Sequence, residues 1–81
     1  MREPIKNQSE AKEKLHVGQI VCFVYGDLPT LIVGEITEVR RDDPWYPDGI
    51  IRVKYGSQEE VEKDFYVSWI TLYEVFDESE F

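Results

Sequence analysis

The sequence is poor in cysteine, histidine and positive charge: one Cys, one His, and 9 Lys and Arg against 17 Asp and Glu, for a net charge of −8. A lone Cys22 excludes an internal disulfide. It lies in the apolar run 20-IVCFVY-25 with no His or second Cys nearby in sequence, which reads as a small buried hydrophobe, not a reactive thiol. His16 has no second ligand at metal spacing, so no metal and no other cofactor is expected. Ser9, Ser57, Ser68 and Ser79 belong to no nucleophile motif, there is no glycine-rich phosphate loop, and so small a domain has little room for a deep cleft; no enzyme is expected. No apolar stretch approaches the roughly 18 residues that span a bilayer and no signal-peptide core is present, which predicts a cytoplasmic, intracellular protein with no membrane partner. Binding to phosphate backbones needs net Lys and Arg, so global acidity disfavours direct nucleic-acid binding, although a local basic patch would escape that argument.

What is present suits one folded domain. With 81 residues, 42% hydrophobic and 14% aromatic, the chain can bury a single small core of marginal stability. The charge is uneven: residues 1–14 carry a net +1, residues 15–54 a net −2 and residues 55–81 a net −7. Residues 1–14 are polar and contain Pro4, which predicts a flexible or short-helical segment. Asn7 or Ser9 would cap a helix running to about Leu15, with Glu10 early and Lys12 and Lys14 late, as the helix dipole prefers. Residues 15–76 form the domain proper, and residues 77–81 an acidic tail.

From Leu15 onward the pattern is β-rich. Runs at 19-QIVCFVY-25, 31-LIVGEITEV-39, 50-IIRVKY-55 and 69-WITLYEVF-76, with a short fourth piece around Glu60 and Val61, predict five strands in a small closed barrel or two orthogonal sheets. Ile32, Gly34 and Ile36 share a face and Val39 falls out of phase, which a β-bulge near Thr37 and Glu38 corrects. Ile51, Val53 and Tyr55 go inward and Arg52 and Lys54 outward. The run 62-EKDFYVS-68 breaks alternation and predicts a helical or 3₁₀ turn, with Phe65 or Val67 plugging the end of the core.

The succession 17-VGQIVCFVY-25, 33-VGEITEV-39, 50-IIRVKYGSQEEV-61 and 69-WITLY-73, carried mainly by Gly18, Gly34 and Gly56 and by β-periodicity, resembles SH3-like small barrels of the Tudor and KOW type over about residues 15–75. The resemblance implies a mainly β fold, a five-stranded SH3-like barrel preceded by a short helical or disordered segment. Tudor-type members hold methylated Lys or Arg in an aromatic cage, and KOW-type members bind nucleic acid or transcription and ribosome proteins. The cage positions that the resemblance implies are Tyr25, Tyr55, Trp45 and Tyr46; where the Tudor pattern has an aromatic at the start of strand two, this chain has Thr30 and Leu31.

The residues leave several binding modes open. In 40-RRDDPWYPDG-49 the prolines and Asp48-Gly49 supply turn chemistry that accounts for most of the loop without a ligand, leaving Trp45 and Tyr46 as rings held between prolines. Arg40, Arg41, Arg52 and Lys54 gather on the same hairpin, the composition of a nucleic-acid patch; Asp42, Asp43, Asp48, Glu35 and Glu38 outnumber them and are expected to neutralise them. Glu59, Glu60, Glu62, Asp64, Glu74, Asp77, Glu78 and Glu80 would form either a solvated face or a row standing in for DNA phosphates, as in a phage-type acidic inhibitor that occupies the basic site of a nucleic-acid enzyme. The end, 77-DESEF-81, resembles the C-terminal tips of single-stranded-DNA-binding proteins, with Phe81 as anchor. The first expectation is a small acidic protein-binding module or regulator that uses the strand 2–3 loop and its aromatics. Its partner is another protein, such as a nucleic-acid-processing enzyme.

Overall fold

A computed structural model describes residues 3–77. After a six-residue helix α1 (Gln8–Glu13) come β1 (Ile20–Tyr25), β2 (Leu31–Arg40), β3 (Ile50–Tyr55) and β4 (Val61–Tyr66), a 3₁₀ turn (Val67–Trp69) and β5 (Ile70–Phe76). The strands form one antiparallel sheet in the order β4-β3-β2-β1-β5, so β4 and β5 are its edges and no ladder joins them among the described residues. No helix among the described residues is long and apolar enough to cross a membrane.

Helix α1 starts where a side chain can replace a missing partner: Asn7 Oδ1 accepts the Glu10 N–H at 3.1 Å, and Glu10 in turn pairs with Lys14 at 2.9 Å. No residue of the helix is fully buried, and Ala11 is its one hydrophobic residue packed against the core. The segment is tied to the edge of β5 as well. Ile5 N–H donates to the Leu72 carbonyl, while the Gln8 amide accepts the Leu72 N–H and donates to the same carbonyl at 2.8 Å each. The Gln8 side chain thereby acts as one peptide unit of a missing neighbouring strand.

β2 is long because it serves two neighbours, pairing with β1 from Leu31 to Glu35 and with β3 from Gly34 to Arg40. The register shift between Ile36 and Glu38 is the bulge that the apolar phase requires. Gly34 belongs to both ladders, where a Cβ would lie 2.5 Å from the Lys54 carbonyl oxygen. The core comprises Leu15, Val21, Phe23, Ile36, Ile51, Val53, Phe65, Val67, Ile70 and Leu72. Each large member contributes about 1.5–3 kcal/mol by leaving water.

One element differs from expectation. β4 runs the full Val61–Tyr66, and only Val67–Trp69 forms the 3₁₀ turn. Its alternation is obscured because it is an edge strand that overhangs the core: Phe65 is buried, while Val61 and Lys63, in the same phase, face solvent. Phe65 and Val67 both reach the core, at 4% and 2% exposure. Trp69 falls in the turn, outside β5, and is exposed.

Candidate functional site

The β2–β3 loop is held from both ends and within. Asp43 Oδ1 accepts the Trp45 N–H at 2.8 Å, the Asp43 carbonyl accepts the Tyr46 N–H at 3.3 Å, and the Tyr46 carbonyl accepts the Gly49 N–H at 2.8 Å. Gly49 takes a positive φ of 98°, a conformation that disfavours a side chain, and its carbonyl accepts the Val67 N–H at 3.0 Å. With Pro44 and Pro47 limiting the backbone further, the turn holds Trp45 outward at 84% exposure.

Tyr46 behaves differently from its neighbour. Its ring stacks on Tyr66 with centroids 4.2 Å apart and planes within 8°. A hydrogen bond to the Tyr66 side chain, together with repulsion from Tyr66 and Asp43, raises the Tyr46 pKa above the ordinary tyrosine value. The Tyr66 N–H donates to the Tyr25 hydroxyl at 3.2 Å, and the Tyr25 ring lies 6.1 Å from Trp69, which is 61% exposed. Gly26 sits under the Trp69 indole and donates its N–H to the Trp69 carbonyl at 2.9 Å. Two ring pairs, Tyr46–Tyr66 and Tyr25–Trp69, are thus linked through the Tyr66 N–H to Tyr25 hydroxyl bond into an aromatic ridge, and Trp45 precedes Tyr46 in the chain. Tyr66 and Trp69 do not stand out in the sequence, although the aromatic spacing of 65-FYVSW-69 was the available signal.

The four expected cage rings are not brought together. Tyr25 and Tyr55 pack on Phe65, at 4.9 Å and 6.0 Å between centroids, and so finish the end of the core. Among the described residues no ring contact involves Trp45.

The basic cluster also divides. Arg41 leaves it: its Nη2 donates to the carbonyls of Lys12, Glu13 and Leu15 at 3.2, 3.2 and 2.9 Å, satisfying the C-terminal end of α1 and fastening the loop to it. Arg40 and Arg52 converge on Asp64 of β4, with Arg40 Nη2 at 2.5 Å and Arg52 Nε at 2.9 Å, while Glu38 also pairs with Arg40 at 2.9 Å. Lys54 pairs with Glu60 at 3.3 Å. The cations are neutralised, as expected, but mainly by carboxylates of the neighbouring β4 side and not by the loop aspartates. The acidic row is interrupted by the same pairs, since Asp64 and Glu60 belong to it. Asp77 meets His16 at 3.3 Å and accepts from the Gln19 amide at 3.1 Å; Glu78, Glu80 and Phe81 lie outside the described residues.

The Arg52 hydrogen bond, with Arg40 adding to it, lowers the Asp64 pKa below the usual carboxylate value. A depressed folded-state value stabilises the fold above the unfolded carboxylate pKa, and this contribution is lost as pH falls through the folded value. Asp64→Asn is therefore expected to lower stability at neutral pH and to flatten its decline below about pH 4 in urea titrations. Because the pairs are solvent-screened, the neutral-pH effect is about 1 kcal/mol or less. An unchanged acid limb in the variant would assign the decline to other carboxylates.

Among the described residues, no three His, Cys, Asp or Glu side chains converge as a metal site. Comparison of the chain with protein-family models, with curated proteins and with solved structures gives no match.

Proposed function

We propose that this chain is a small, non-enzymatic protein-binding module of the intracellular space, built as an SH3-like barrel, and that its partner docks on the aromatic ridge. One observation carries the reading: a tryptophan 84% exposed on a turn fixed by its own hydrogen bonds, beside a stacked tyrosine pair and a second exposed tryptophan. Aromatic anchors dominate binding energy, and rings ordered before binding lose less entropy on association. In this reading Trp45 and Trp69 are the anchors and Tyr46, Tyr66 and Tyr25 the floor.

Other readings have less support. A nucleic-acid interface needs uncommitted cations, whereas Arg40, Arg52 and Lys54 face carboxylates and Arg41 faces carbonyls. A phosphate-mimicking row needs uncompensated carboxylates, and Asp64 and Glu60 are compensated. A methyl-lysine or methyl-arginine cage needs converging ring faces, whereas among the described residues Trp45 makes no ring contact with Tyr25, Tyr46 or Tyr55.

Trp45→Ala is expected to leave thermal unfolding unchanged while weakening the partner recovered by affinity capture by about 2 kcal/mol or more, roughly thirtyfold in Kd. Retention of full affinity would move the site off the loop. Unfolding of the variant would make Trp45 structural.

A further inference from the structure

The two edges of the sheet are finished differently. On β5 the chain covers its own edge: the Ile5 N–H donates to the Leu72 carbonyl at 2.9 Å, and the Gln8 amide meets both backbone groups of Leu72 at 2.8 Å. On β4 no such cover exists among the described residues, and residues 61–64 are exposed. Two bonds fix which backbone groups point off that edge. Val67, just past β4, donates its N–H to the Gly49 carbonyl at 3.0 Å, on the β3 side. The Tyr66 N–H turns away from Ile50, its partner in register, and reaches the Tyr25 hydroxyl at 3.2 Å. In an antiparallel ladder the direction alternates residue by residue, so Val61, Lys63 and Phe65 bond to β3 while Glu62 and Asp64 face outward. The Tyr25 hydroxyl closes the edge at Tyr66. The N–H and C=O groups of Glu62 and Asp64 meet no hydrogen-bond partner among the described residues, and such a row is a template for one more strand.

The side chains along the edge specify what that strand carries. Glu62 and Asp64 share the outer face with Lys54 and Arg52, their partners in register. Asp64 is held by Arg40 and Arg52, and Lys54 by Glu60. Glu62 acts on Arg52 at a distance but forms no ion pair among the described residues. A strand paired here therefore meets an uncompensated carboxylate on one face. On the other it meets Val61, 42% exposed where β4 overhangs the core. We infer that the β4 edge takes up an extended segment of another protein, in which Lys or Arg opposite Glu62 alternates with apolar residues that cover Val61. A second copy of this chain does not suit the edge. Two copies paired about a two-fold axis run antiparallel, so the outward residues Glu62 and Asp64 of one must stand opposite Glu62 or Asp64 of the other, and every such register opposes carboxylates. The chain's own end, 77-DESEF-81, is acidic and fails on the same ground. The inference does not rest on the aromatic ridge, which the edge meets only at Tyr66.

The test titrates the isotopically labelled full chain with a synthetic peptide of about seven residues in which Lys alternates with Val. Saturable binding is expected, weakening as salt rises, with new protection from amide exchange at Glu62 and Asp64 and none added at Lys63, whose N–H already faces β3. Methylating the peptide's backbone nitrogens at one alternate set of residues removes the donors that face β4 and should abolish binding; methylating the other set should leave most of it. A peptide with Glu in place of every Lys should bind about tenfold more weakly or worse. Glu62→Pro spares the β3 ladder, which does not use that N–H, and should abolish uptake. Glu62→Lys, expected to reverse the preference between the two peptides, serves should the proline variant fail to fold. Trp45→Ala should leave this binding untouched, which separates failure here from failure of the ridge. No binding, equal binding of the Lys and Glu peptides, equal effects of the two methylated sets, or protection elsewhere than Glu62 and Asp64 would overturn the inference. So would a doubled mass of the free chain that Glu62→Pro abolishes, since the occupant would then be a second copy.

Discussion

Phe65→Ala is expected to remove about 3–5 kcal/mol of folding stability, the range for deleting a buried phenylalanine ring. Roughly 4–12 kcal/mol is available to a domain of this length, so the variant should be extensively unfolded at moderate temperature. The reason lies in the position of the ring. Phe23 meets it edge-on at 5.1 Å and Tyr25 at 4.9 Å, and Tyr55 leans on it at 6.0 Å. It is also the only residue of β4 that is buried, so the truncation loosens the strand as well as hollowing the core. Urea unfolding followed by far-UV circular dichroism measures the loss. Phe65→Leu, which keeps most of the volume, should cost far less, within about 1.5 kcal/mol. If the alanine variant lost no more than the leucine variant, the ring cluster would not be what holds β4.

Gly34→Ala should be the most damaging single-methyl change in the sheet. The added Cβ would stand 2.5 Å from the Lys54 carbonyl oxygen, 2.7 Å from Val53 Cγ1 and 2.8 Å from Tyr55 Cβ. Two of those neighbours belong to the β3 backbone or its first side-chain atom, and Gly34 is simultaneously paired with Val21, so neither ladder can retreat without stretching the other. Overpacking of this kind costs about 1–3 kcal/mol, and more where backbone must move. The expected signature is a lower urea midpoint together with faster amide exchange at the Gly34–Tyr55 and Ile36–Val53 ends of the β2–β3 ladder. Unchanged exchange there, with stability retained, would mean the two strands are not as close as the packing requires.

Much of the fold can be read from the chain because its signals are local. Asn7 caps a helix through its own side chain, and the out-of-phase Val39 requires a bulge whatever the neighbours are. The β1 and β3 runs are marked by β-branched residues closed by Gly26 and Gly56. The course of β4 is less legible: an overhanging edge strand has no buried face along most of its length, so its sequence carries no period to read. The candidate site divides the same way. That Trp45 sits in a stiff turn follows from Pro44, Pro47 and Gly49, whereas the separation of Trp45 from Tyr46 depends on Tyr66 arriving from a strand twenty residues later.

Taken alone, the sequence determines a single acidic domain with a mainly β course, one short capped helix, and the positions of its turns, since composition and backbone preference act within a few residues. Only the tertiary structure decides which charges are spent and which rings are free. Arg41 ends on carbonyls at the end of the helix, Arg40 and Arg52 on Asp64, Tyr25 and Tyr55 on Phe65, and Trp45, among the described residues, on its own turn. Those assignments depend on segments 10 to 40 residues apart meeting in one register, and no local preference encodes a register.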